Sequence, residues 1–202
     1  MDAALTLIRE RGMEAVTLRD VAEALQTGPA SLYAYFASRD VLLEHALDAV
    51  YGKVELVQLA EGGWQDALAA TIANTIDALE AFPGIGTVAL GTIPTHPGAL
   101  RLAEHELALM EAGGIAGADA ALGVDLIAQF VAVTAVERAV RGHGSGRAQP
   151  GEDVLGVYQQ ADAEQFPRVR RLARELVQPD EGHRRDFSVR VIMAGLAASR
   201  RT

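Results

Sequence analysis

Cysteine is absent from the 202 residues, so neither a disulfide framework nor a thiolate metal site can form, and a reducing compartment is expected. Lysine is almost absent: Lys53 is the only one, and the other basic side chains are arginine. Positive charge is in deficit, with 27 acidic against 18 basic residues and a net charge of -9, which predicts repulsion from nucleic acid over most of the surface. No uninterrupted apolar run approaches the ~20 residues that span a bilayer, because Asp119, Asp125, Glu137 and Arg138 break the longest apolar stretch. The N-terminus lacks the ordered regions of a signal peptide. These absences predict a cytoplasmic globular protein with no membrane partner, and the half of the chain that is apolar supplies its core.

Catalytic constellations are missing too. No Ser-His-Asp order, Gly-rich phosphate loop or pair of carboxylates rises above chance spacing, so no enzyme and no cofactor are expected. The triplet Glu104-His105-Glu106 and the nearby His96 offer metal-ligating side chains. Adjacent residues on a helix point in different directions, so the triplet cannot converge on one ion. No metal is expected, and an exposed or capping histidine is.

What the chain does carry is concentrated at residues 17 to 39, TLRDVAEALQTGPASLYAYFASR. Thr17 and Asp20, three apart, have the spacing of a capping box, and Val16 and Val21 flank it as a hydrophobic staple. Leu18, Val21, Ala22 and Leu25 then recur at helical spacing and leave Arg19, Asp20 and Glu23 on other faces. Gln26 to Gly28 break the pattern. Pro29 suits the first position of a second helix, since its missing N–H would have no helical partner there. Leu32 and Phe36 face the core from that helix, so Ala30, Ser31, Tyr33, Ala34 and Tyr35 face outward. Small and hydroxylated side chains on an outer face suit a DNA major groove. Ser38 caps a further helix with the run VLLEHALDAVY.

Beyond residue 50 the pattern is helical almost throughout, with Gly and Pro marking breaks near Gly62, Pro83, Pro94, Pro97, Gly113 and Gly142. From Trp64 to Phe82, Leu68, Ile72, Ile76 and Leu79 define one buried face. Residues 98 to 112 and 118 to 141 read as two more helices, the second apolar nearly all round and so in need of neighbours on every side. In DFSVRVIMAGLAASR, Phe187, Val191, Ala194, Gly195 and Ala198 fall close to one stripe. Residues 118 to 141 and this last segment are read as the dimer interface. Gly142 to Asp153 has the composition of a flexible loop. Arg168, Arg170, Arg171 and Arg174 spread around Val169, Leu172 and Leu176, which describes a solvated outer face rather than a second nucleic-acid patch.

The elements AALTLIRERG, TLRDVAEAL, the turn, and SLYAYFASRDVLL together resemble the N-terminal region of TetR-type transcriptional repressors. The resemblance spans roughly residues 3 to 50 and is architectural beyond. It implies an all-α chain: a small helix-turn-helix domain at 1–50, joined to a larger helical-bundle domain at 51–202 for ligand binding and dimerisation. Carried over position by position, Thr17 and Arg39 would hold phosphates, Arg19 and Ser31 would approach base edges, and Tyr33 and Tyr35 would contact backbone or bases. Pro29 and Ala30 would offer only apolar contacts, leaving part of the specificity to DNA shape. The family usually carries a few further residues, often basic, ahead of the first helix.

The resemblance further implies a double-stranded, roughly palindromic operator bound by a homodimer, its heads ~34 to 36 Å apart, and a small-molecule effector held in an apolar pocket. Trp64, Phe82, Met110, Phe130, Thr134 and Tyr158 are candidates for its lining. The low aromatic content, 5%, points to a small or flexible apolar effector. Against operator binding stands the charge of the first fifty residues, where Arg9, Arg11, Arg19 and Arg39 face eight acidic side chains. The alternative is therefore a helical small-molecule-binding or protein-interaction module that does not engage DNA.

Overall fold

The computed structural model describes residues 1–59, 63–93, 95–142, 151–177 and 181–199, without the side chains of residues 141, 142, 151, 152 and 181. Every regular element among them is helical. The chain divides into two compact units, Met1–Arg141 with Met193–Thr202, and Gly142–Ile192.

The first unit begins with α1 (Asp2–Arg11), which buries Ala4, Leu5, Leu7 and Ile8. Gly12, at a φ of 78°, turns the chain into a 3-10 turn at Met13–Ala15. Then α2 (Leu18–Ala24) starts at the capping box read from the sequence, and both staple valines, Val16 and Val21, are buried. The end of α2 is a Schellman motif in which Gln26 N–H donates to Glu23 O at 2.9 Å and Thr27 N–H to Ala22 O at 3.0 Å. That geometry needs a left-handed residue, and Gln26, at a φ of 53°, takes the position glycine usually fills. Next, α3 (Pro29–Tyr33) has proline in its first turn and buries Leu32. It closes before Tyr35, earlier than the run to Phe36 suggested. In α4 (Arg39–Tyr51), Ser38 Oγ accepts from Val41 N–H at 3.2 Å, and one face buries Leu42, Leu43, Ala46, Leu47, Val50 and Tyr51.

Around α4 pack α5 (Gly63–Glu80), α6 (Ile85–Gly91) and α7 (Pro97–Ala112). The expected face of α5 is buried at Leu68, Ile72, Ile76 and Leu79, as are Thr71 and Thr75. The two threonines donate to the carbonyls of Ala67 and Thr71 one turn back, at 2.9 and 2.8 Å, and Thr71 Oγ1 also accepts from Val57 N–H at 3.3 Å. Between α4 and α7 the backbones nearly touch. Ala99 N–H donates to Asp48 Oδ1 at 2.9 Å, and a Cβ on Gly98 would collide with the Asp48 carbonyl. The α5–α6 corner reaches back to the head, since Met13 N–H donates to Pro83 O at 2.8 Å and the Arg9 guanidinium lies 4.8 Å from the centre of the Phe82 ring.

The long α8 (Ala118–Gly142) was expected to need neighbours on every side. Ala120, Ile127, Val131, Ala132 and Ala135 are buried, but Leu122, Leu126, Val133 and Val140 form an exposed apolar stripe. Its inner face meets α6 at Gly86 and, at Gly123, Met110 of α7 and Leu196. Over Ala118–Val140 the mean hydropathy is 1.6, so by length and composition alone this helix is sufficient to cross a bilayer. Counting uninterrupted apolar runs misses this, because an average over a window tolerates isolated charges.

In the second unit, α9 (Gly151–Gln159) packs on α10 (Pro167–Arg171) and α11 (Ala173–Val177). The arginine segment is two short helices rather than one. Arg168, Arg170, Arg171 and Arg174 are exposed as expected, but so are Leu172 and Leu176, because helices this short present no continuous face to bury. The loop expected at 142–153 is shorter at both ends: Gly142 closes α8 and residues 151–153 open α9, glycine being tolerated in terminal turns. Its remaining residues, like Gly62 and Pro94, lie outside the described ones. Finally α12 (Glu181–Ala198) leaves Phe187, Val191, Ala194, Gly195 and Ala198 all exposed, the stripe read from the sequence.

Candidate nucleic-acid interface and the cavity behind it

Thr17, Arg19, Pro29, Ala30, Ser31, Tyr33 and Tyr35 are all exposed. Their positions follow from what is buried beneath them. Leu18, Val21, Ala22 and Leu32 anchor α2 and α3 to each other and to α1, which turns the other faces to solvent. Tyr33 and Tyr35 are 58% and 79% exposed. A tyrosine normally buries most of its ring, so two presented this openly on adjacent turns are available to a partner. Arg19 is exposed, and among the described residues its guanidinium has no hydrogen-bond or ionic partner.

Thr17 is partly committed to the protein. Its amide donates to Asp20 Oδ2 at 2.8 Å, its hydroxyl donates to the same oxygen, and Asp20 N–H donates to Thr17 Oγ1 at 3.2 Å. The Thr17 hydroxyl and amide hold the Asp20 carboxyl below its ordinary range. The box therefore stays closed near neutral pH.

Arg39 has a second use that the sequence did not disclose. Its Nε donates to Val16 O at 2.8 Å and its Nη2 to Met13 O at 2.7 Å. The half-buried guanidinium clamps the 3-10 turn that precedes α2. Two of its donors are spent inside the head, so a phosphate has only the remainder.

Behind the head lies a cavity of about 260 Å³ between α4 and the α6–α7 corner. Glu44, Asp48 and Tyr51, spaced i, i+4 and i+7 on α4, form one wall, and Thr92, Thr95 and His96 face them. Leu47, Ile93 and Ala99 add apolar surface. His96 stacks on His45 at 4.4 Å between ring centres, and Phe36 meets the other side of His45 edge-on at 5.4 Å. A row of rings thus runs from the end of the DNA-facing turn to the cavity rim.

Behind Tyr51 sits Glu106, 4% exposed. Burial pushes its carboxyl up to about 8, so near neutral pH it is largely protonated. Tyr51 is pushed up to about 12, first by its own burial and then by the negative charge of Glu106. His105 is neither exposed nor a cap, as expected of it; its Nε2 lies 3.0 Å from Val57 O and 3.4 Å from Thr71 Oγ1, bracing the segment between α4 and α5.

The pocket candidates from the sequence are placed elsewhere; none of the six lines this cavity. Trp64 packs flat on Gly113 and Met110 is fully buried beside Gly123. Phe82 lies under Arg9. Phe130 is half-buried, and Thr134 bonds back to its carbonyl at 2.7 Å; Tyr158 belongs to the second unit. Apolar character marks core and pocket alike. The signal in the sequence for this cavity is the set of polar residues Glu44, Asp48 and Tyr51 at i, i+4 and i+7 on α4.

Residues 1–46 match the model of bacterial regulatory proteins of the tetR family, and residues 57–200 match that of the tetracyclin repressor-like C-terminal domain. The chain belongs to the TetR family. An HTH-type transcriptional regulator of Saccharopolyspora erythraea is 29% identical over 131 residues, 65% of this chain and 56% of that protein. The repressor DrrR1 of Streptomyces coeruleorubidus is 29% identical over 132 residues, again 65% of this chain and 49% of that protein. The matches therefore span about half the length of these two relatives. The TetR-family protein ActR of Streptomyces coelicolor, solved in complex with actinorhodin, is 28% identical, with a TM-score of 0.90 over 100% of this chain and 96% of that one. This is a family of transcriptional regulators, not of enzymes.

Proposed function

We propose that this TetR-family chain is a ligand-responsive transcriptional regulator, acting as a repressor, that binds a palindromic operator as a homodimer in the cytoplasm and is released by a small-molecule effector. The observation that carries the reading is the pair Tyr33 and Tyr35, 58% and 79% exposed on a two-helix unit anchored by the buried Leu18, Val21, Ala22 and Leu32. Residues 1–50 form the reading head and 51–202 the ligand-binding and dimerisation domain. Arg19 and Ser31 face base edges; Thr17, Tyr33, Tyr35 and the free donors of Arg39 hold the backbone; Pro29 and Ala30 make apolar contacts. Phosphates are held locally, by hydroxyls and helix-start amides, because the net charge gives no long-range attraction.

The exposed stripe of α8, with Leu122, Leu126 and Val133, and that of α12, with Phe187 and Val191, support pairing with a second copy. Apolar rows of this extent are seldom left to water. The ligand-bound form of ActR supports a small-molecule effector, whose binding must favour one separation of the two heads over the other in order to act.

Selection of DNA from a random pool by the purified protein, at low and then physiological salt, tests the reading. Enrichment of a palindrome with half-sites one helical turn apart supports it. The acidic head favours a second reading, a ligand-binding module without operator contact. In that case no site is enriched at either salt concentration, and any DNA retained at low salt is lost without sequence preference as salt rises.

A further inference from the structure

We infer that the cavity between α4 and the α6–α7 corner is a site for a small organic cation, an ammonium carried on a compact apolar body. The inference rests on the regulator reading and deepens it by naming the chemical class of its effector, which adds a charged end to the small or flexible apolar effector expected from composition.

Three observations carry it. The first is the charge of the walls: Glu44 and Asp48 both line the cavity, and no lysine or arginine does. Asp48 is partly compensated, since its Oδ1 accepts from Ala99 N–H at the start of α7. Glu44 has no hydrogen-bond or ionic partner among the described residues. The second is Tyr51. It is only 6% exposed and lines the cavity, yet its hydroxyl has no hydrogen-bond partner among the described residues. The hydroxyl opens on the cavity, so a ligand group entering there meets an unengaged donor and acceptor. The third is the mixture of surfaces. Leu47, Ile93 and Ala99 beside the oxygens of Glu44 and Tyr51 suit a molecule with one charged end and one greasy end.

The field of the wall agrees in sign, because the carboxylates of Glu44 and Asp48 both border the cavity. An ammonium offers three donors, enough to engage the Glu44 carboxylate, the free side of Asp48 and the Tyr51 oxygen together. A carboxylate or phosphate ligand would be repelled by the carboxylates of Glu44 and Asp48.

Position gives the site a consequence. Its walls belong on one side to α4, which carries the head, and on the other to the α6–α7 corner. A ligand that fills the gap sets the distance between them.

Calorimetric titration of the full-length chain at pH 7 with 2-phenylethylamine, 2-phenylethanol and phenylacetate tests the inference without DNA. The amine is expected to bind at least about tenfold more tightly than the other two, as charge-assisted hydrogen bonds should give. Glu44→Gln should weaken the amine about tenfold while leaving the unfolding temperature unchanged, because Glu44 is only half-buried. Tyr51→Phe should weaken it severalfold. Equal or tighter binding of the alcohol or the carboxylate, no binding of the amine at millimolar concentration, or an unaltered affinity in Glu44→Gln overturns the inference. Amine binding by a protein that enriches no DNA site would leave the cation site standing and sink the regulator reading instead.

Discussion

The imidazole rings of His45 and His96 stack at 4.4 Å with 17° between their planes, joining the helix that carries the reading head to the corner that borders the cavity. Phe36 in turn meets His45 edge-on at 5.4 Å, so the three rings form a continuous packed path from the turn after α3 to the corner. A stacked pair contributes about 0.5–1.5 kcal/mol beyond its buried area. A double-mutant cycle of His45→Ala and His96→Ala, read by chemical denaturation, should return a coupling of that size. Additive single effects would mean that the stack transmits nothing.

Arg19 and Tyr33 test the DNA face. Both side chains are exposed, so Arg19→Ala and Tyr33→Ala should leave the unfolding midpoint within about 0.5 kcal/mol. Each should cost operator affinity about 1–3 kcal/mol, with Arg19→Ala relaxing the preference at one base position. Full affinity in the double variant would remove these residues from the interface.

Arg39 separates clamping from phosphate contact. Loss of its charged donors from Met13 O and Val16 O in Arg39→Ala should destabilise the protein by about 1.5–3 kcal/mol. Because its free donors also hold the DNA backbone, the slope of operator binding against salt should fall by about one below the unfolding transition. An unchanged slope would confine Arg39 to the clamp.

Gln26 occupies a left-handed position at a φ of 53°. Gln26→Gly relieves that conformation and should raise stability by about 0.5–1 kcal/mol in thermal or denaturant unfolding, with DNA affinity unchanged. A loss of stability would mean that the Gln26 side chain holds the turn in a way its backbone geometry does not disclose.

Glu106 should make the fold sensitive to alkali. Its folded pKa, about 8 against an ordinary 4.5, is raised, so the folded state holds a proton that the unfolded chain has released between those values. Stability from this group is therefore full below about pH 4.5 and falls as pH rises, by at most about 1.4 kcal/mol per unit, levelling off above about 8. Denaturation midpoints across pH 5 to 9 should show that decline, and Glu106→Gln should remove it. The prediction is falsified if the two proteins keep parallel profiles.

Much of the architecture was written in short-range chemistry. The Thr17–Asp20 box, the Val16–Val21 staple, Pro29 in the first turn of α3 and the 3.6-residue recurrence along α5 each depend on neighbours within a turn or two of helix. They formed where the spacing put them, and with them came the two-helix unit and the outward face of Tyr33 and Tyr35. The stripe on α12 was legible for the same reason.

What the tertiary structure decided lies between residues far apart in the chain. Arg39 turns inward because packing of α4 against the 3-10 turn brings two free carbonyls to its guanidinium. Glu106 and Tyr51 are buried because α4 and α7 approach closely at Gly98. The cavity exists because the α6–α7 corner does not fill the space beside Glu44 and Asp48. Periodicity assigns a side chain to a face of its helix but does not say which helix covers that face or how completely, and those two quantities set its burial, its proton affinity and its exposure to a ligand.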